Sequence, residues 1–158
     1  MKDLRRQEKM SKIYSPLNGS VKALELVDDV AFSEKMMGDG IAVTPSSGEL
    51  FAPADGEITM LFPTKHAIGL TTEEGVELLI HIGIDTVSLN GEGFNANVEQ
   101  NDQVRKGDLL ISFDLKGILD KGYDMDTMIV ITNSDKYINI KRCGYDKIVV
   151  GEELLDIL

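Results

Sequence analysis

Apolar and β-branched residues come in short runs along this chain, and Gly, Pro, Asp and Asn break the runs apart from residue 14 onward. Runs of that length and composition predict strands over 21–27, 40–44, 56–62, 67–71, 76–82, 109–113 and 128–132. Helical spacing surfaces only near 32–37 and 115–121, and each stretch spans one or two turns. Many short strands at close spacing predict an all-β domain, a sandwich or a barrel, with one or two very short helices. A weak internal echo fits this picture. Ser15-Pro16-Leu17-Asn18-Gly19-Ser20-Val21 and Ala52-Pro53-Ala54-Asp55-Gly56-Glu57-Ile58 place Pro, Gly and a β-branched residue alike, so each reads as a turn leading into a strand. Convergent turn chemistry explains so short a match as well as an internal repeat does.

The first residues have a different texture. Leu4, Met10 and Ile13 are too sparse for a core helix, so residues 1–13 are expected to be a flexible segment or linker and 14–158 the folded domain. At 158 residues the chain fits one domain. It contains no apolar run of about 18 residues and no basic start leading into an apolar stretch, so neither a membrane span nor a signal peptide is expected, and a cytoplasmic location is. The single cysteine, Cys143, has no C-x-x-C or zinc-finger spacing around it and suits a reducing compartment. The formal charge of −11 argues against nucleic acid as a partner. Residues 1–13 carry five basic and two acidic side chains, a local +3, which leaves −14 on the rest of the chain. Such a body attracts basic partners over long range.

His66 and His81 are the only histidines. His81 interrupts the apolar run Leu78-Leu79-Ile80-His81-Ile82, and His66 opens the run that follows it in the predicted pairing, Thr64-Lys65-His66-Ala67-Ile68. A hairpin turning near residues 73 and 74 pairs residues whose numbers sum to about 147, which sets His66 across from His81 on one face. Two facing imidazoles suit phosphoryl transfer. A neutral ring nitrogen is a competent nucleophile near pH 7, and the second ring can donate a hydrogen bond to the phosphoryl oxygens. A metal site is the competing chemistry, because imidazoles ligate zinc and the spacing from His81 to Asp85 is plausible for ligands, but a third convincing ligand is not identifiable.

Three segments carry a family resemblance: Pro63-Thr64-Lys65-His66-Ala67-Ile68-Gly69-Leu70, then Leu79-Ile80-His81-Ile82-Gly83-Ile84-Asp85-Thr86-Val87, then Gly91-Glu92-Gly93-Phe94. Together they resemble the glucose-type IIA component of the bacterial phosphoenolpyruvate-dependent sugar phosphotransferase system. The segment Phe32-Ser33-Glu34-Lys35-Met36-Met37-Gly38-Asp39-Gly40 and the stretch 104–115 extend the likeness over nearly all of the chain after residue 14. The resemblance implies an antiparallel β-sandwich with a shallow, apolar-rimmed depression. It also implies a phosphocarrier that takes phosphate from the histidine phosphocarrier protein HPr and gives it to a cysteine on the IIB domain of a sugar permease, meeting the membrane only through that transporter. Other proteins bound at the same face for regulation are compatible with this role. Carried over by residue, Nε2 of His81 is the phosphate acceptor, His66 contacts the phosphoryl group, and Thr64 orients His66. Val30, Phe32, Met36, Met37 and Phe62 would form the apolar rim, with Asp29 and Asp85 meeting a partner's arginine. No cofactor is implied, and zinc at His66 and His81 would be adventitious or regulatory.

Two other readings are weaker. A zinc-dependent hydrolase of related β architecture usually needs a His-x-His element, and no third histidine exists. A biotinyl or lipoyl carrier is suggested by the hairpin chemistry of Gln103-Val104-Arg105-Lys106-Gly107-Asp108, but no lysine flanked by methionines sits on a tight hairpin.

Overall fold

Alternation along the strands sends one set of side chains into a common core and leaves the other set on a second face. The computed structural model describes residues 11–158. In chain order the strands are β1 (Ser11–Tyr14), β2 (Gly19–Ala23), β3 (Asp39–Pro45), β4 (Glu49–Phe51), β5 (Gly56–Leu61), β6 (Ala67–Thr72) and β7 (Glu77–Ile82). They continue as β8 (Phe94–Ala96), β9 (Gln103–Val104), β10 (Leu109–Phe113), β11 (Thr127–Ile131), β12 (Ile140–Arg142), β13 (Lys147–Ile148) and β14 (Glu153–Ile157). Two short helices, α1 (Val30–Ser33) and α2 (Leu115–Asp120), interrupt them. An 8-stranded sheet runs β13-β2-β3-β11-β7-β6-β5-β9, and two 3-stranded sheets run β1-β14-β12 and β4-β10-β8. The strand pairings are antiparallel. This is the antiparallel β-sandwich that the sequence predicts.

The large sheet buries one face as the main core. Ile41 and Val43 of β3, Ile68 and Leu70 of β6, Leu78, Ile80 and Ile82 of β7, and Ile129 and Ile131 of β11 join Leu50, Leu110, Ile111, Leu154 and Leu155 of the small sheets. The opposite face of the same strands holds Ala42, Met128 and Val130, and a smaller cluster forms there with Leu24, Val27, Phe32 and Ile84. Every residue of β11 is therefore buried, which is why its sequence after Thr127 is continuously apolar rather than alternating.

The expected boundary at residue 14 moves. β1 begins at Ser11 and pairs with β14, Ile13 is fully buried in the main core, and Lys12 Nζ lies 2.9 Å from Glu153 Oε1. Residues 11–13 thus belong to the sandwich, and the rest of the expected linker, 1–10, lies outside the described residues. The strand expected over 21–27 stops at Ala23, because Leu24–Leu26 turns as a 3₁₀ segment that buries Leu24 in the small cluster.

The echo between 15–21 and 52–58 is a structural repeat. Ala52 N–H bonds Asp108 O at 2.8 Å as Ser15 N–H bonds Glu152 O at 2.7 Å, and Ile58 N–H bonds Asp102 O at 2.9 Å as Val21 N–H bonds Asp146 O at 2.8 Å. Asn18 and Asp55 each accept a backbone N–H through Oδ1 at 2.8 Å, from Val150 and Lys106. Gly19 and Gly56 start equivalent strands where any Cβ would collide with a neighbouring carbonyl oxygen, Thr44 or Thr71. The large sheet reads as a palindrome about its β11–β7 centre, and β1-β14-β12 mirrors β4-β10-β8. One unit, β4 to β10, is contiguous and sits as an insert between β3 and β11 of the other. Its ends meet, since Phe113 N–H bonds Gly48 O at 2.8 Å. Both histidines lie in the inserted unit. Following the registers from Gly19 and Gly56, Ala67 paired with His81 corresponds to Gly40 paired with Val130, so the other unit has an aliphatic residue at the equivalent place.

Candidate active site: the histidine pair

β7 sends Leu78, Ile80 and Ile82 inward, so strand alternation turns His81 to the opposite face, where it pairs laterally with Met128 of β11 and Ala67 of β6. The β6–β7 register is offset by one residue from the expected one, with Ala67 rather than His66 across from His81. Regular alternation would then send His66 to the wrong face. The local backbone prevents this. Lys65 adopts a left-handed conformation with φ 59°, its N–H closes a turn on Phe62 O at 2.8 Å, and His66 sits just ahead of β6 with its carbonyl accepting Ile82 N–H at 2.7 Å. The two rings consequently meet edge to face, with centroids 4.8 Å apart and planes at 80°. The expected contact exists, and an irregular turn makes it rather than cross-strand pairing.

Hydrogen bonds define the two rings differently. His81 Nδ1 lies 2.7 Å from the carbonyl oxygen of Gly83. A carbonyl only accepts, so Nδ1 carries the proton and a neutral ring leaves its lone pair on Nε2. Gly83 reaches this position with φ 79°, and a Cβ there would stand 2.6 Å from Thr86 Cγ2 and 2.9 Å from Met125 Sδ. Burial lowers the His81 pKa, and the Gly83 carbonyl with the carboxylates of Asp29 and Asp85 works in the opposite direction. His66 is only 3% exposed, and its Nδ1 lies 2.6 Å from Thr64 Oγ1. Burial first, and then the neighbouring His81, push its pKa down to about 4. Both rings are therefore neutral near pH 7.

The other expected residues fall into two groups. Val30, Met36 and Met37 are exposed, at 62%, 70% and 43%, and Asp85 is exposed in a left-handed conformation just after β7. Half-buried Phe62 packs edge-on against His66, centroids 5.5 Å apart. Asp29 caps α1 by accepting the Ala31 N–H at 3.0 Å. Phe32 departs from the expected rim. It is 5% exposed, belongs to the small cluster, and lays its ring 5.1 Å from that of His81. Sequence reasoning passed over Gly83, although a glycine two residues after a strand histidine is a signal for a returning carbonyl. It also passed over Leu26 and Val87, which are 68% and 52% exposed beside α1 and Asp85.

The pair supplies two imidazole nitrogens, and among the described residues no group of three or more His, Cys, Asp or Glu is arranged to hold a metal ion. No helix among them is long and apolar enough to cross a membrane.

The family model for the phosphoenolpyruvate-dependent sugar phosphotransferase system, EIIA 1, matches residues 11–137. Among solved structures, glucose permease IIA from Mycoplasma capricolum is similar at 37% identity and a TM-score of 0.85, over 94% of this chain and 96% of that one. Neither match points toward a zinc hydrolase. A neutral histidine pair, one ring buried and one half-buried, on the outer face of such a sandwich, matched in sequence and in fold over this much of the chain, places the protein in the EIIA 1 family of the phosphoenolpyruvate-dependent sugar phosphotransferase system, as one of its phosphocarrier components.

Proposed function

We propose that Nε2 of His81 accepts the phosphoryl group from phosphorylated HPr and yields it to the cysteine of a permease IIB domain in the cytoplasm. The observation that carries this reading is the bond from His81 Nδ1–H to the Gly83 carbonyl, which assigns the free lone pair to Nε2. In the first transfer the Nε2–P bond forms as the donor's N–P bond breaks, and the electron pair of that bond stays on the donor imidazole. In the second, the thiolate sulfur attacks phosphorus and the Nε2–P pair returns to His81. In the tautomer for which the Thr64 hydroxyl donates to His66 Nδ1, the proton of neutral His66 sits on Nε2 and is offered to the phosphoryl oxygens. Val30, Met36, Met37 and Phe62 exclude water once a partner is seated, and Asp29 and Asp85 face a basic partner. Flexible methionines suit a face that must accept a donor, an acceptor and any regulatory protein in turn.

Incubation with labelled phosphoenolpyruvate and the two upstream carriers should give one acid-labile, base-stable adduct on the protein and none on His81→Gln. Label retained by His81→Gln would overturn the assignment.

A further inference from the structure

We infer that Phe32 is a positioning residue, a fixed wall that holds the His81 imidazole in the one orientation that turns Nε2 toward an incoming phosphoryl group. The inference rests on the reading of His81 as acceptor. Rotation about the bond joining Cβ to an imidazole ring is a soft, two-fold torsion with little intrinsic preference. A partial turn would break the bond to Gly83 O, swing the nucleophilic nitrogen away and drive an edge of the imidazole into the rings packed against it. One hydrogen bond of 2.7 Å is a modest restraint against that turn, so packing has to supply the rest. His81 is packed by two rings, His66 at 4.8 Å and Phe32 at 5.1 Å with planes at 56°.

Phe32 is itself immobilised. It lies among Leu24, Val27, Ala42, Ile84, Met128 and Val130, and Ala42 and His81 both flank Met128 in the sheet. Asp29 secures the helix that carries it, through the Ala31 N–H. Val30 and Met36, a few residues away, are 62% and 70% exposed while Phe32 is 5% exposed. The segment thus divides its work: the exposed side chains meet partners and the buried ring sets the nucleophile.

The test compares Phe32→Leu, which keeps most of the volume but removes the flat face, with Phe32→Ala. Two quantities are read on each folded variant: the tautomer and rotamer populations of His81 from long-range ¹H–¹⁵N spectra, and single-turnover phosphorylation across a range of phospho-HPr concentrations. Positioning predicts a second His81 population in the spectra. It also predicts a maximal rate lowered on the order of 10- to 100-fold, with the half-saturating HPr concentration held within about twofold. Unchanged His81 spectra in Phe32→Leu, or an unchanged maximal rate with a raised half-saturating concentration, would overturn the inference and return Phe32 to docking. Failure of the wild type to accept phosphate on His81 would instead overturn the functional reading, and the spectra would still decide the packing role.

Discussion

A histidine kept neutral by burial makes stability depend on pH. The folded-state pKa of His66, about 4, lies below the ordinary value of 6.5. Between those values the unfolded chain binds a proton that the folded chain refuses, so stability is complete above about pH 6.5 and declines as pH falls toward 4. At 1.36 kcal/mol per unit the loss is about 3 kcal/mol at most. Urea titrations from pH 7 to 4.5 should show this slope in the wild type, and a shallower one in His66→Gln. Parallel slopes would mean that His66 titrates freely. At this scale the sequence was informative about proximity: two histidines in strand-like surroundings, and Thr64 two residues ahead of one of them, are the groups that the fold brings into contact. It was silent on which apolar residues near them face outward. Phe32 and Met36 both belong to a half-buried segment, and hydrophobicity alone does not say which side of such a segment is covered.

The turn after β7 fixes the site at the level of elements. Gly83 in a left-handed conformation brings its carbonyl back onto His81, and Thr86 Oγ1–H then bonds Ile82 O at 2.5 Å as the chain enters the 3₁₀ segment Thr86–Leu89. Gly83→Ala should therefore destabilise the protein by about 2–4 kcal/mol, combining left-handed strain with overpacking against Thr86 and Met125. It should also slow phosphorylation per folded molecule and disturb the His81 tautomer. A stable Gly83→Ala protein with a normal tautomer would show that the turn accommodates a Cβ with its carbonyl still on His81. The longer strands were legible because apolar runs bounded by turn residues have few other conformations open to them. The short ones, β1, β4, β8, β9, β12, β13 and β14, were not. All of these but β14 have two to four residues, too few alternations to register, and their places are fixed by partners distant in sequence. The His66 and His81 contact was anticipated for the wrong register, because a left-handed Lys65 is not foreshadowed by a residue type that seldom adopts it.

For the whole molecule, the nesting of one unit inside another bears on the order in which the chain can fold. β3 must find β11, and the inserted unit with α2 lies between them in sequence. Closing so long a loop costs conformational entropy before any contact compensates it. Once β4 to β10 has formed, Gly48 and Phe113 are held within a hydrogen bond, and the remaining closure is short. The inserted unit should accordingly form first. Leu110→Ala should then slow refolding with a φ-value above about 0.5, whereas Leu154→Ala, its counterpart in the outer unit, should mainly speed unfolding with a φ-value below about 0.3. Equal values at the two positions would contradict this order. A ribosome emits β1, β2 and β3 first, and yet β3 waits for a neighbour that is made only after the whole insert. During synthesis the large sheet therefore presents an unpaired edge at β3, the kind of edge that recruits stray strands. Nascent chains halted before residue 127 should be the species most in need of a chaperone.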